Sequence, residues 1–409
     1  MSQHIQQLIK KELQRQQSSL VMIASENYAS PAVLAATGSV LTNKYSEGYP
    51  NTRYYTGNEF IDQIESAAQS LALKIFKLSE KNWHANVQPH SGSSANLAVY
   101  NALLKPGDTI LAMDLAAGGH LTHGSPVSLT GKLYNFVHYG VDPKTHRLDY
   151  KVIEELAIKH QPKLIVCGAT AYPRQIDFKK FAAIAKHTNS LLMADIAHIA
   201  GLVVGGVHPS PFPHADIVTS TTHKTLGGPR SAIIICKKEY QPAIDRAVFP
   251  GMQGGPLDHV IAAKAICFEE ALTAKFKQRQ QQTVKNTKAL AEVLTKRGLS
   301  LITNGSDNHL LIVDCRPLNL SGKDGANLLA EAGIYTNANM VPFDTASPRN
   351  PSGIRIGTQA LATRGLKERE LRTIGLWISE ILLQPTNKQL RSRIKKEVSV
   401  LMKSFPIYT

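Results

Sequence analysis

The sequence predicts an α/β fold, with a mostly parallel sheet in a large domain and a smaller α/β domain toward the C-terminal end. Three observations carry this expectation. Short apolar runs rich in β-branched residues, at 109–113, 164–167, 191–194, 217–220 and 232–236, have the length and continuity of strands buried on both faces of a parallel sheet. Between them lie longer segments, 150–160 and 178–187 among them, whose apolar residues recur at helical spacing. That alternation puts helices on both faces of the sheet. At 409 residues the chain is also long enough for two or three domains and a large core.

In chain order, residues 1–17 are polar, with Lys10-Lys11-Glu12 and several glutamines, and lack the apolar core of a signal peptide. They open an N-terminal arm, 1–30. A large domain, 31–275, holds the five strands. After Pro256 one long helical stretch is expected from 258 to 297, leading into a small domain, 276–409. There 310–314 reads as a strand, and 327–332 and 368–382 read as helices.

A hydrophobic content of 43% and a charged content of 19% fit an ordinary globular protein. No stretch approaches the roughly 20 apolar residues that a membrane span needs. Cys167, Cys236, Cys267 and Cys315 lie far apart and mostly within apolar runs. They have neither disulfide nor zinc spacing and read as free thiols of a cytoplasmic protein, with no metal site expected. Forty-six basic against 31 acidic residues give a formal charge of +15, which favours anionic ligands such as phosphates and carboxylates. Part of it clusters at Lys388, Arg391, Arg393, Lys395, Lys396 and Lys403. That cluster reads as the solvated face of a terminal helix. No zinc-finger or aromatic RNA-binding motif accompanies it, so nucleic acid is not the expected main partner.

Chemistry-bearing residues fall at strand ends, where ligands of open α/β sheets gather. Ser91-Gly92-Ser93-Ser94-Ala95-Asn96 precedes a helical run, a pattern that suits either an anion at a helix N-terminus or a plain N-cap. Asp195 follows the 191–194 run, with His198 three residues on. A carboxylate there can keep a heterocyclic nitrogen protonated; magnesium ligation and a helix cap compete with that reading. Lys224 follows 217–220 and lies in Thr-Thr-His-Lys-Thr-Leu-Gly-Gly-Pro-Arg (221–230), a setting for a pocketed amine nucleophile. An anion site, an acid and an amine on successive strands are together what pyridoxal phosphate (PLP) requires.

Long motifs in the same order make the chain resemble the serine hydroxymethyltransferase family. They are IASENY (23–28), LTNKYSEGYPNTRYY (41–55), NVQPHSGS (86–93), GGHLTHGSP (118–126), DIAHIAGL (195–202), 221–230, FPGMQGGPL (249–257), Asp307-Asn308-His309 and GIRIGT (353–358). The resemblance implies a PLP-dependent transferase of fold type I, working as a homodimer with shared active sites. It implies that Lys224 carries the cofactor, Asp195 pairs with its ring nitrogen and His120 stacks on the ring. Gly92 and Ser93 would hold the phosphate, with Gly255 reaching it from the partner subunit. His198 and Thr170 would lie at the ring oxygen, and Arg230 and Tyr45 belong with the cofactor set. Arg355 would clamp the amino-acid carboxylate beside Ser25. Glu47, from the other subunit, would act as acid–base. Tyr55 lines the same site, and His223 joins the catalytic group. Leu115, Gly119, Leu121 and Asn339 would surround tetrahydrofolate. The implied reaction moves the hydroxymethyl carbon of serine to tetrahydrofolate, giving glycine and 5,10-methylenetetrahydrofolate.

The chain departs from the usual family pattern at several places. They include Ala117, Thr56, Asn58, Ser94, Thr170, Ser231-Ala232, Asp258, Ala338 and Gln359. Ala117 and Ala338 adjoin the folate positions, and they support the alternative of a folate-independent aldolase acting on 3-hydroxy amino acids.

Overall fold

The computed structural model describes residues 2–408. Contacts divide the chain into two units, one of residues 27–280, the other joining the residues up to Glu26 to those from Gln281 onward.

The first unit is built on seven strands: β1 (Trp83–Asn86), β2 (Thr109–Met113), β3 (Asn135–Tyr139), β4 (Leu164–Gly168), β5 (Leu191–Asp195), β6 (Ile217–Thr221) and β7 (Ala232–Lys237). They lie in the order β1-β7-β6-β5-β4-β2-β3. From β6 through β3 every pairing is parallel. The five runs singled out in the sequence are β2, β4, β5, β6 and β7. Their apolar side chains, such as Ile110, Val166, Met193, Ile217 and Ile234, are buried against Val99 and Tyr100 of a helix.

The structure corrects two expectations in this unit. The strand at 232–236 is antiparallel to β6, and to β1 on its other side. The connection 222–231 contains no helix, and without a crossover the chain returns beside β6 in the opposite direction. The expected long helix is two helices, Asp258–Ala271 and Ala274–Lys296. Thr273 separates them: its Oγ1 donates to the Glu270 carbonyl (2.7 Å) and accepts the Phe276 N–H (3.2 Å), which caps the second helix. Strands β1 and β3 escaped notice because they are the sheet's edges and mix polar with apolar residues. The polar residues of β1 are buried but satisfied: His84 and Asn86 both reach Asp245 at 2.8 Å.

The second unit carries a four-stranded antiparallel sheet of Ser300–Leu301, Leu310–Asp314, Gly353–Gly357 and Asn337–Asn339, in that spatial order. Helix Gly322–Glu331 starts before the expected 327 because Ser321 caps it through the Asp324 N–H. The chain's start is built into this unit. Leu20–Val21 pairs in parallel with Ile334–Tyr335, and Arg364 donates to the carbonyls of Gln16, Gln17 and Ser19. Of the basic cluster, Arg391 is buried on Glu331 and Arg393 pairs with Glu380. Among the described residues no helix is long and apolar enough to cross a membrane.

Candidate active site

Three neighbouring parallel strands bring their carboxyl ends into one row, with Gly168, Asp195 and Thr219 in register. Asp195 ends β5 with its carboxylate almost wholly buried. Its Oδ2 accepts from Asn96 Nδ2 (2.9 Å) and His123 Nε2 (3.1 Å), and its Oδ1 accepts the Ala197 N–H (3.1 Å). Burial works against the charge, but the His123 hydrogen bond, electrostatic attraction to His123 and His120 and the Asn96 hydrogen bond together outweigh it and hold this carboxyl well below the usual range. The His123 tautomer follows from its neighbours. Nδ1 accepts the His120 backbone N–H (3.1 Å), so the ring proton sits on Nε2 and points at Asp195.

Asn96 and His123 are absent from the sequence-derived set. Asn96 lies on helix α1 (Gly92–Leu103), and its amide is committed on both sides. Oδ1 accepts from Thr219 Oγ1 (2.7 Å), while Nδ2 donates to Thr122 Oγ1 (2.8 Å) as well as to Asp195. The only signal for either residue was its place inside a motif. A buried Asn in a helix and a second His three residues after His120 have no chemistry until folding brings them to Asp195.

His120 lies beside this cluster, with Nδ1 at 2.7 Å from Thr122 Oγ1. Its loop is tied to the end of β4, since the Thr170 and Ala171 N–H groups both donate to the Gly118 carbonyl. Gly118 has φ +119°, and a side chain there would strike the Ala171 carbonyl. In the same loop Leu115 is half-buried, Gly119 buried and Leu121 exposed. His198, buried after β5, gives its carbonyl to Thr225 Oγ1 (2.9 Å).

Lys224 is 8% exposed, in the loop after β6. The backbone around it is fixed by Asn27, whose amide donates to the Lys224 carbonyl (2.8 Å), and by Thr222 Oγ1 on the Pro229 carbonyl (2.6 Å). Arg230 at the loop's end is exposed. His223 is largely buried, and burial, with the Lys224 and Arg230 charges behind it, pushes its imidazole down to about 3. The folded chain therefore refuses a proton that the unfolded chain takes up near pH 6.5. In cofactor-free protein, His223→Gln should flatten the loss of stability between about pH 6.5 and 3. Urea midpoints measured across that range check this, and an unchanged slope would contradict the neutral buried imidazole.

At the start of α1, Ser91 and Ser94 form a capping box, which leaves the N–H groups of Gly92 and Ser93 directed out of the helix. A Cβ on Gly92 would lie 2.9 Å from Thr221 Cγ2, so this close approach requires glycine. The strand before the helix is held from behind by buried Lys264, which donates to the Val87 (2.5 Å), Ala232 (2.9 Å) and Pro89 (3.4 Å) carbonyls. Ser231 adds a bond to the Pro89 carbonyl (2.9 Å).

Another group of candidate residues gathers on an exposed surface. The Tyr45 and Tyr55 rings meet edge-on at 5.2 Å, and Tyr45 OH donates to Glu47 Oε1 at 3.4 Å. Gly254 and Gly255 close against them: added Cβ atoms would stand 3.2 Å from Glu47 Oε1 and 3.1 Å from the Tyr45 ring. The Glu47 charge raises the Tyr55 phenol above its ordinary value.

In the second unit, Arg355 is buried on strand Gly353–Gly357, its Nε bonded to Asn337 Oδ1 (3.1 Å). Burial pulls its guanidinium down to about 10, leaving it charged at neutral pH. Asn339 sits two residues beyond Asn337 on the adjacent strand. Ser25 lies in a segment pinned by Gln359, whose amide donates to the Ile23 (3.0 Å) and Glu26 (2.6 Å) carbonyls. Gln359, a departure noted in the sequence, thus holds both sides of Ser25. Losing two such bonds costs about 1.4 kcal/mol or more, so Gln359→Ala should speed amide exchange across 23–26 about tenfold. Hydrogen exchange decides, and an unchanged rate would show that other contacts hold the segment.

The mostly parallel sheet, with an ionised carboxylate, a buried lysine and a glycine-bearing helix start around its strand ends, defines an α/β protein with its candidate site at the carboxyl ends of the strands. A sequence profile described as serine hydroxymethyltransferase matches residues 1–378. A protein of Coprothermobacter proteolyticus named serine hydroxymethyltransferase is 54% identical over 402 residues, 98% of this chain and 96% of that protein. The chain belongs to the serine hydroxymethyltransferase family.

Proposed function

We infer that this chain is a PLP-dependent glycine hydroxymethyltransferase, moving the hydroxymethyl carbon of serine reversibly to tetrahydrofolate. Besides family membership, the observation that carries this reading is the Asp195 carboxylate, kept ionised while buried by Asn96 and His123. A buried anion with that support suits a cationic ring nitrogen. The Gly92–Ser93 helix start suits a phosphate, and Lys224 an aldehyde. The residues present therefore fit PLP, which supplies an electron sink for the pair left at the amino acid's α-carbon.

The chain's own residues divide the remaining work. Lys224 would hold the cofactor through its amine. Asp195 would keep a proton on the ring nitrogen, and His120 would lie against the ring. His198 and Thr170 would serve the ring oxygen, and Arg230 would add charge at the loop. Arg355, with Ser25, takes the substrate carboxylate as a two-pronged donor. Glu47 moves the proton at the substrate hydroxyl, with Tyr55 and Tyr45 beside it. Leu115, Gly119, Leu121 and Asn339 receive the folate.

We read the working unit as a homodimer. The exposed Tyr45–Glu47–Tyr55 group with Gly255 is chemically incomplete on its own surface, and a second copy would set it at that copy's Lys224. Four separate buried thiols support a cytoplasmic setting.

The deciding experiment is an absorbance titration of the PLP-loaded protein with glycine, then tetrahydrofolate. A strong new long-wavelength band that requires both ligands supports the reading. A response to glycine that ignores folate would favour the aldolase, and no cofactor absorbance at all would refute PLP dependence.

A further inference from the structure

Segment 44–47, which carries Tyr45 and Glu47, has no regular secondary structure. Its backbone is tied at the ends, by the Lys44 N–H on the Leu41 carbonyl (3.2 Å) and the Tyr54 N–H on the Glu47 carbonyl (3.0 Å), and the side-chain anchor between them is a residue the family resemblance left unexplained. Ser46 is fully buried between the exposed Tyr45 and the half-buried Glu47. Its Oγ lies 2.8 Å from each carboxylate oxygen of Asp258, itself 2% exposed. Asp258 is the first residue of helix α2 (Asp258–Ala271), where a negative charge suits the helix dipole.

The carboxylate is held in turn by a charged surround. Burial raises this carboxyl above its ordinary value, and the Ser46 hydrogen bond with Arg53, Lys44 and His259 works in the opposite direction. Arg53 also donates to the Ser46 and Gly48 carbonyls (2.9 Å each) and pairs with Asp62 (2.8 Å) and the buried Glu65 (2.5 Å). Gln88 joins Glu65 to the Gly48 carbonyl (2.9 Å each). The segment is thereby braced on its backbone by Arg53 and Gln88. Asp258 grips the buried Ser46 side chain, at the residue directly before Glu47.

We propose that Asp258 is a positioning residue for Glu47, fixing the segment through Ser46 so that the Glu47 carboxylate keeps one direction. The proposal rests on the reading of Glu47 as acid–base. A second departure acts on the same surface, since Asn58 Nδ2 donates to the Tyr55 carbonyl (2.7 Å). The positions that differ from the family pattern here support the reacting residues from behind.

The test compares Asp258→Ala, Asp258→Asn and Ser46→Ala with Glu47→Gln in the full-length, PLP-loaded protein. Serine turnover, bound cofactor and amide hydrogen exchange are measured for each. Asp258→Ala and Ser46→Ala should lower kcat about tenfold or more, speed exchange at 44–48 and leave cofactor content unchanged. Asp258→Asn, which keeps an acceptor for Ser46, should recover most of the rate. In the Glu47→Gln background, Asp258→Ala should add no further loss, because both act through one group.

Wild-type turnover and exchange in Asp258→Ala and Ser46→Ala, with Glu47→Gln impaired, would overturn the proposal and leave the Glu47 reading standing. Additive losses, or losses that track cofactor content, would reduce Asp258 to a packing residue. Normal turnover in Glu47→Gln would overturn the acid–base reading itself, and the positioning role with it. If Asp258→Ala does not fold, Ser46→Ala carries the same comparison.

Discussion

Lys224→Ala is expected to lose turnover by at least about 10³-fold, the order of effect seen when a positioned reacting group is removed. The loop around Lys224 is fixed by backbone and neighbouring side-chain bonds, from Asn27 to the Lys224 carbonyl and from Thr222 to the Pro229 carbonyl. None of these uses the amine, so the variant keeps its frame. Borohydride reduction followed by intact mass provides the second readout. The parent chain should retain PLP covalently and the variant should not, even with the proposed phosphate site intact. Retained turnover in Lys224→Ala would remove the lysine from the reaction.

Asp195→Asn is expected to cost about 10³-fold in kcat, because a preorganised charge at the site of developing charge is replaced by a dipole. The amide oxygen can still accept from Asn96 and His123, while the bond from the Ala197 N–H is lost because the NH2 cannot accept it. What is lost is the charge that, under the proposed function, would keep a ring nitrogen protonated. The pH dependence has a definite sign. A carboxyl whose folded value lies below its ordinary one contributes stability that is complete above about pH 3.9 and lost as pH falls through the lower folded value. The parent enzyme should therefore show no acid limb from Asp195 at mildly acidic pH. Titration of kcat across pH 5–8 would expose an error in this assignment if Asp195→Asn abolished an existing limb.

Some parts of the molecule were plain in the sequence, and others needed the fold. Strands β2, β4, β5 and β6 were legible because burial on both faces writes an uninterrupted apolar run. The helices Tyr150–His160 and Phe178–His187 were legible with their bounds, since Asp149 and Asp177 cap them at the expected places. The direction of β7 was not, because pairing sense depends on what connects two strands rather than on their composition. The break at Thr273 was hidden as well: a threonine inside a helical pattern is unremarkable until its hydroxyl caps the next turn.

At the site, Arg355 came only with the family resemblance, while residues that carry chemistry by their own type (Lys224, Asp195) stood out. Those that act by orienting others (Asn96, His123, Asp258, Gln359) did not, since their partners are many residues away in sequence. Asp258 and Gln359 looked like departures, and the structure gives each a bonding partner.

Helix α1 offers two successive turns to one task. Its first residues, Gly92 and Ser93, face the proposed phosphate, and Asn96, one turn later, grips the carboxylate that faces the ring nitrogen. Four residues of α-helix rise about 6 Å, a length the backbone hydrogen bonds do not allow to stretch. For a cofactor held as proposed, this helix works as a gauge block. It compares the span between an anion and a heterocyclic nitrogen with a fixed standard, and a molecule that satisfies one end while missing the other forfeits half its binding.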